Sequence, residues 1–108
     1  MSESKDLAKK IVSFLTAEGW TVWQNNSGKI KTGSYCVRLS PEGYGDIIGH
    51  TGDGRFVNIE VKVGKDQLRQ KQIEVLYDLT KAKYAISVVA RDWDQFRAWF
   101  SEQSIKGF

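Results

Sequence analysis

Residues 46–62 read DIIGHTGDGRFVNIEVK, two apolar-rich runs joined through Gly52-Asp53-Gly54. Such runs around a glycine-rich turn predict a β-hairpin, with strands over 46–51 and 55–63. In the second run side chains alternate between faces with a period of two. Val57, Ile59, Val61 and Val63 form one apolar row, and Phe56, Asn58, Glu60 and Lys62 form the other. A half-exposed strand with a polar face is one account of that pattern. The turn adds another. A three-residue loop, with Gly54 in the left-handed position, sets Thr51 opposite Arg55, Ile47 opposite Ile59 and Asp46 opposite Glu60. Directly opposed residues have Cβ atoms roughly 4.5–5.5 Å apart, and like charges so placed are destabilising. A divalent cation between them removes that penalty, and Lys62 stands one step along the same face. A two-residue loop would shift the register by one and send the carboxylates to opposite faces.

Outward from the hairpin, the pattern predicts helices over 3–18, 66–82 and from Asp92 onward, with strands over 20–25, 35–39 and 84–89. In the first helix Leu7, Ile11, Phe14 and Leu15 recur at helical spacing, and Gly19 supplies the stop. Residues 25–28 and 41–45 read as loops. Asp92 and Gln95 have the spacing of a capping box. The order of elements predicts one α/β domain over residues 1–108, built on a mixed sheet. In the second helix Leu68, Val75, Leu76 and Leu79 form an apolar stripe, and Gln72 falls in its middle. A glutamine facing the core needs hydrogen-bond partners. It either bonds to strand backbone or reaches the sheet face that carries Glu60.

The 108 residues are 41% hydrophobic, 12% aromatic and 27% charged, which excludes a disordered chain. No apolar run approaches the ~20 residues needed to span a membrane, so no membrane partner is expected. The first ten residues carry no secretion signal. Cys36 and His50 are the single cysteine and histidine, so the softer metals lack ligands and only oxygen-rich sites fit. The net charge of +3 is unevenly spread. From Cys36 to Val61, Arg38 and Arg55 stand against Glu42, Asp46, Asp53 and Glu60, a local −2. From Lys62 to Gln72, Lys62, Lys65, Arg69 and Lys71 stand against Asp66, a local +3. An acidic patch beside a basic run suits a cation site bordered by phosphate contacts, and it also occurs as ordinary solvated surface.

Asp46, then Glu60-Val61-Lys62 fourteen residues on, then a helix, resembles the PD-(D/E)XK nuclease core. The match narrows to its VRR-NUC branch, the virus-type replication-repair nucleases. It includes Asn26-Ser27-Gly28 after the first strand, glycines before and after the aspartate in Gly43-Tyr44-Gly45-Asp46-Ile47-Ile48-Gly49, the run Gly54-Arg55-Phe56 leading into the Glu-x-Lys strand, and Gln72 in the next helix. The resemblance covers residues 3 to about 97. It implies a restriction-endonuclease-like αβββαβ core with a mixed central sheet flanked by helices. It also implies a metal-dependent DNA endonuclease, structure-selective for branched junctions or flaps, in the cytoplasm of a bacterial or phage-infected cell. Asp46, Glu60 and the Val61 backbone carbonyl would hold Mg²⁺ or Mn²⁺, with Glu3 as a first-helix ligand. Lys62 would orient water, and Gln72 would assist in positioning. Asn26, Ser27, Lys65, Arg69 and Lys71 would contact DNA. Relatives that cut two strands act as symmetric dimers, so a homodimer is expected. A non-catalytic module binding branched nucleic acid or protein on the same fold is the alternative. The family usually has proline where this chain has Gly45, which predicts a looser loop before the aspartate. Its glycine pair before the last core strand is replaced by Ala82-Lys83-Tyr84.

Overall fold

The computed structural model describes residues 2–25, 29–32, 35–38 and 41–106. The elements run α1 (Glu3–Ala17), β1 (Thr21–Gln24), β2 (Lys29–Thr32), β3 (Tyr35–Arg38), β4 (Ile47–His50), β5 (Phe56–Val61), α2 (Gln70–Thr80), β6 (Ile86–Ala90) and α3 (Trp93–Lys106). The architecture is α/β, with a four-stranded mixed sheet in the order β1-β4-β5-β6. β1 pairs antiparallel with β4, and β4 with β5, while β6 joins β5 in parallel after the crossover through α2. β2 and β3 form a separate antiparallel pair. The strand at 29–32 is an addition to the sequence-predicted set. Among the described residues no helix is long and apolar enough to cross a membrane.

The hairpin register is the one a three-residue loop demands. Ile47 pairs with Ile59 and His50 with Phe56. The Thr51 N–H donates to the Arg55 carbonyl at 2.9 Å, and the Gly54 N–H to the Thr51 carbonyl at 3.0 Å. Gly54 has φ +88°, a conformation that costs a residue with a Cβ. The buried Thr51 hydroxyl bonds the Asp53 carboxylate and accepts from the Arg55 N–H, which closes the turn.

Paired residues on adjacent strands share a face, so the register also sorts the sheet. One face carries Val22, Ile47, Val57, Ile59, Val61, Ile86 and Ala90, all buried with Leu7, Ile11, Leu15, Phe96 and Phe100 in a single core. α1 and α3 meet over it, with Phe14 edge-on to Trp93, Phe96 and Phe100. On α3, Phe96 and Phe100 lie in this core, and Trp93 and Trp99 pack against it. The other face carries Asn58 and Glu60, and α2 reaches it through Gln72. Asn58 is 0% and Glu60 2% exposed, so β5 is covered on both sides and the half-exposed strand is excluded.

One predicted helix start is corrected. Residues 66–69 are not helical, and α2 begins at Gln70. Gly64 at φ +60° and the turn closed by the Asp66 N–H on the Val63 carbonyl delay it, and Arg69 is extended. Of the predicted stripe, Leu68 falls before α2, Val75, Leu76 and Leu79 on the helix are only half-buried, and the buried residue of the helix is Gln72. At α3 the Asp92 carboxylate accepts from the Gln95 N–H at 2.8 Å as predicted. The Gln95 side-chain oxygen, however, accepts from the Arg91 N–H rather than that of Asp92. Gly54→Ala is expected to lower stability by about 1–2 kcal/mol through its left-handed backbone alone. Urea unfolding of the two proteins measures the difference.

Candidate functional site

The hairpin register brings Asp46 and Glu60 together at one end of the sheet. Asp46 stands one residue before β4, opposite Glu60 by continuation of the ladder. Its Oδ2 accepts from the Val61 N–H at 2.7 Å, a bond that takes the place of the ladder partner β4 no longer supplies. Asp46 is exposed, whereas Glu60 lies beneath α2.

Glu60 is held from the helix. Gln72 Nε2 donates to Glu60 Oε1 at 3.0 Å, and the Gln72 side-chain oxygen accepts from the Arg69 N–H at 2.7 Å. One amide therefore caps the start of α2 and ties it to the central strand. The two alternatives for Gln72 are resolved: its strand partner is the Glu60 carboxylate, not strand backbone. Glu60 Oε2 is buried and has no hydrogen-bond partner. Burial, followed by the nearby charge of Asp46, pushes the Glu60 carboxyl up to about 8, against an opposing pull from Lys62.

Gly45, just before the aspartate, is fixed on both sides. Its N–H donates to Asn58 Oδ1 at 2.7 Å, and its carbonyl accepts from Asn25 Nδ2 at 2.9 Å. The Asn25 N–H in turn donates to the Asp46 carbonyl at 2.7 Å. A Cβ at position 45 would run into the Ile59 carbonyl, so a proline would both clash and remove the bond to Asn58. The loop is thus tied by hydrogen bonds at the position where the family's proline would stand. Asn25 and Asn58 did not figure among the sequence candidates. Asn58 was visible as a polar residue within an apolar run, on the same face as Glu60.

A cleft of about 390 Å³ opens beside Asp46, lined also by Ser4, Lys5, Ala8, Gln24 and Asn25. Glu3 is exposed in the first turn of α1, and the residues of that turn that line the cleft are Ser4 and Lys5. Lys62 follows β5 and is half-buried, with its N–H on the Ala90 carbonyl at 2.9 Å. Lys65, Arg69 and Lys71 are exposed on the segment from β5 into α2, and Lys71 lies 3.5 Å from Glu74. Asn26 and Ser27 lie outside the described residues. His50 is at the far end of β4, with Nδ1 2.8 Å from the Thr51 carbonyl. Among the described residues no group of three His, Cys, Asp or Glu side chains gathers at one point. A cation here would draw on two carboxylates and backbone or solvent oxygen.

No known family profile matches the chain, and a search of curated proteins finds no matching sequence.

Glu60 makes stability depend on pH. Its carboxyl titrates at about 8 in the fold, against 4.5 in the absence of these surroundings. Below the lower value both states are protonated and folding carries no penalty. As pH rises toward 8 the unfolded chain ionises while the native one keeps its proton, so stability falls. Urea midpoints of the metal-free protein are expected to decline across that window. Glu60→Gln is expected to flatten the decline and to exceed the parent protein above pH 8.

Proposed function

We propose that the chain is a metal-dependent DNA endonuclease of the VRR-NUC kind, built on a restriction-endonuclease-like core. With β2 and β3 set aside, the order α1, β1, β4, β5, α2, β6 supports that core. The observation that carries the function is Glu60 Oε2, buried, unpartnered and facing a second carboxylate. A carboxylate so placed either keeps a proton or meets a cation, because an unpaired buried charge is costly.

The donor set fits a hard cation. Asp46, Glu60 and the Val61 carbonyl offer oxygen ligands, which suits Mg²⁺ or Mn²⁺. In an extended strand a residue's carbonyl leaves on the same side as its N–H, and the Val61 N–H meets Asp46. The bound ion would polarise a phosphate and lower the pKa of a coordinated water. Gln72 holds Glu60 Oε1 and leaves Oε2 without a donor. Lys62, beyond Glu60, orients water and stabilises charge that develops on phosphate. Lys65, Arg69 and Lys71 on one side, and Lys5 in the cleft on the other, neutralise backbone phosphates without reading bases. Cutting both strands of a junction takes two such centres, so a second copy is the proposed partner. Ile73 (46% exposed) and Tyr77 (61%), four apart on α2, are the proposed contacts, and sedimentation reads the assembly.

The purified protein with Mg²⁺ or Mn²⁺ is expected to cut one or more of linear, nicked, flap and four-way DNA. Glu60→Ala, Asp46→Ala and Lys62→Ala are each expected to lower the rate by at least about 10²-fold. Cutting no faster than Glu60→Ala, with branched DNA still retained, would replace the enzyme with a binding module.

A further inference from the structure

We infer that Asn58, with Asn25 as a second arm, is the positioning residue that aims Asp46 across the ladder at Glu60; this deepens the metal-site proposal and rests on it. The regular ladder between β4 and β5 begins at Ile47 and Ile59, so Asp46 lies one residue beyond it. Asp46 is exposed, and its Oδ2 accepts from the Val61 N–H. The direction of that side chain is therefore set by the backbone on either side of it. That backbone is clamped by three hydrogen bonds. Asn58 Oδ1 takes the Gly45 N–H at 2.7 Å, Asn25 Nδ2 reaches the Gly45 carbonyl at 2.9 Å, and the Asn25 N–H reaches the Asp46 carbonyl at 2.7 Å.

Asn58 is itself enclosed and bonded on its far side. It is 0% exposed on the central strand, and its Nδ2 lies 3.3 Å from Ser87 Oγ on β6. A position enclosed in this way favours an apolar β-branched side chain, like its neighbours Val57 and Ile59. An amide fits instead because the Gly45 N–H, buried against β5, needs an acceptor. Gly45 in turn has no room for a side chain, because a Cβ would meet the Ile59 carbonyl. The central strand thereby carries one candidate ligand at position 60 and, two residues earlier on the same face, the group that holds the other.

The test uses the full chain and two readouts, Mn²⁺ binding by calorimetry and amide hydrogen exchange without metal. Asn58→Val places a β-branched residue, like Val57 and Ile59, in the strand and removes the acceptor. Asn25→Ala removes the side-chain bond to the Gly45 carbonyl at a half-buried position and leaves the backbone bond to Asp46, so it carries the test if the first variant does not fold. Each is expected to weaken Mn²⁺ affinity about tenfold, as loss of an outer hydrogen-bond partner does at metal sites. Each is also expected to speed exchange at the Val61 N–H relative to the Val57 and Ile59 amides of the same strand. Ser87→Ala, which touches only the far side of Asn58, is expected to change neither. Unchanged Mn²⁺ affinity together with uniform exchange along β5 would reduce the clamp to a packing feature. A parent protein that takes up no Mn²⁺ would overturn the metal site, and the Val61 exchange ratio would then decide the positioning role alone.

Discussion

A carboxylate enclosed in the middle of a sheet organises this molecule. Glu60 sits on the central strand with α2 over it, one oxygen held by Gln72 and the other buried without a donor, and Asp46 is near enough to raise its pKa. Most buried polar atoms in proteins find a partner, and the unpartnered oxygen is a local departure from that rule. The surrounding structure absorbs the departure by shifting the acidity of the group rather than by opening to solvent. Around it the other polar groups are satisfied with little slack. Asn58 bonds on both sides, Gln72 bonds at both ends, and Gly45 uses both its N–H and its carbonyl.

Legibility from sequence followed the range of the interactions. Local signals read well. The Gly52-Asp53-Gly54 turn announced the hairpin and left two loop lengths open, and the three-residue loop carries the register that places Asp46 opposite Glu60. Asp92 capped its helix where its spacing with Gln95 pointed. Non-local effects read poorly. The Asn58 face looked like a solvated surface, because alternation cannot reveal that a helix from later in the chain covers it. The start of α2 was misplaced by four residues, since residues 66–69 carry no strong breaker and the cap comes from a glutamine inside the helix. β2 had no alternating apolar run to announce it.

The same distinction separates the parts of the candidate site. Asp46, Glu60 and Lys62 lie within one hairpin, and their arrangement follows from a period of two and a turn type. Asn25 and Lys5 come from the first quarter of the chain and meet Asp46 only because β1 pairs with β4 and α1 packs beside it. Polar residues at a strand end or in a first helical turn have many ordinary uses. Spacing alone did not single out these two.

Gln72 has a consequence that concerns local opening of the chain. Its single amide both starts α2 and grips Glu60, so the helix cannot fray at its first turn without releasing the carboxylate. The hairpin needs no such support to keep its register, because its ends are joined through a short loop whose closure entropy is small. A partial unfolding confined to α2 would leave the two acids opposed but bathed in water, where their repulsion is screened. Glu60 would then behave as an ordinary surface acid. The acidity of this one group therefore reports whether the second helix is docked, so a sub-global motion can be followed from a single titrating atom pair.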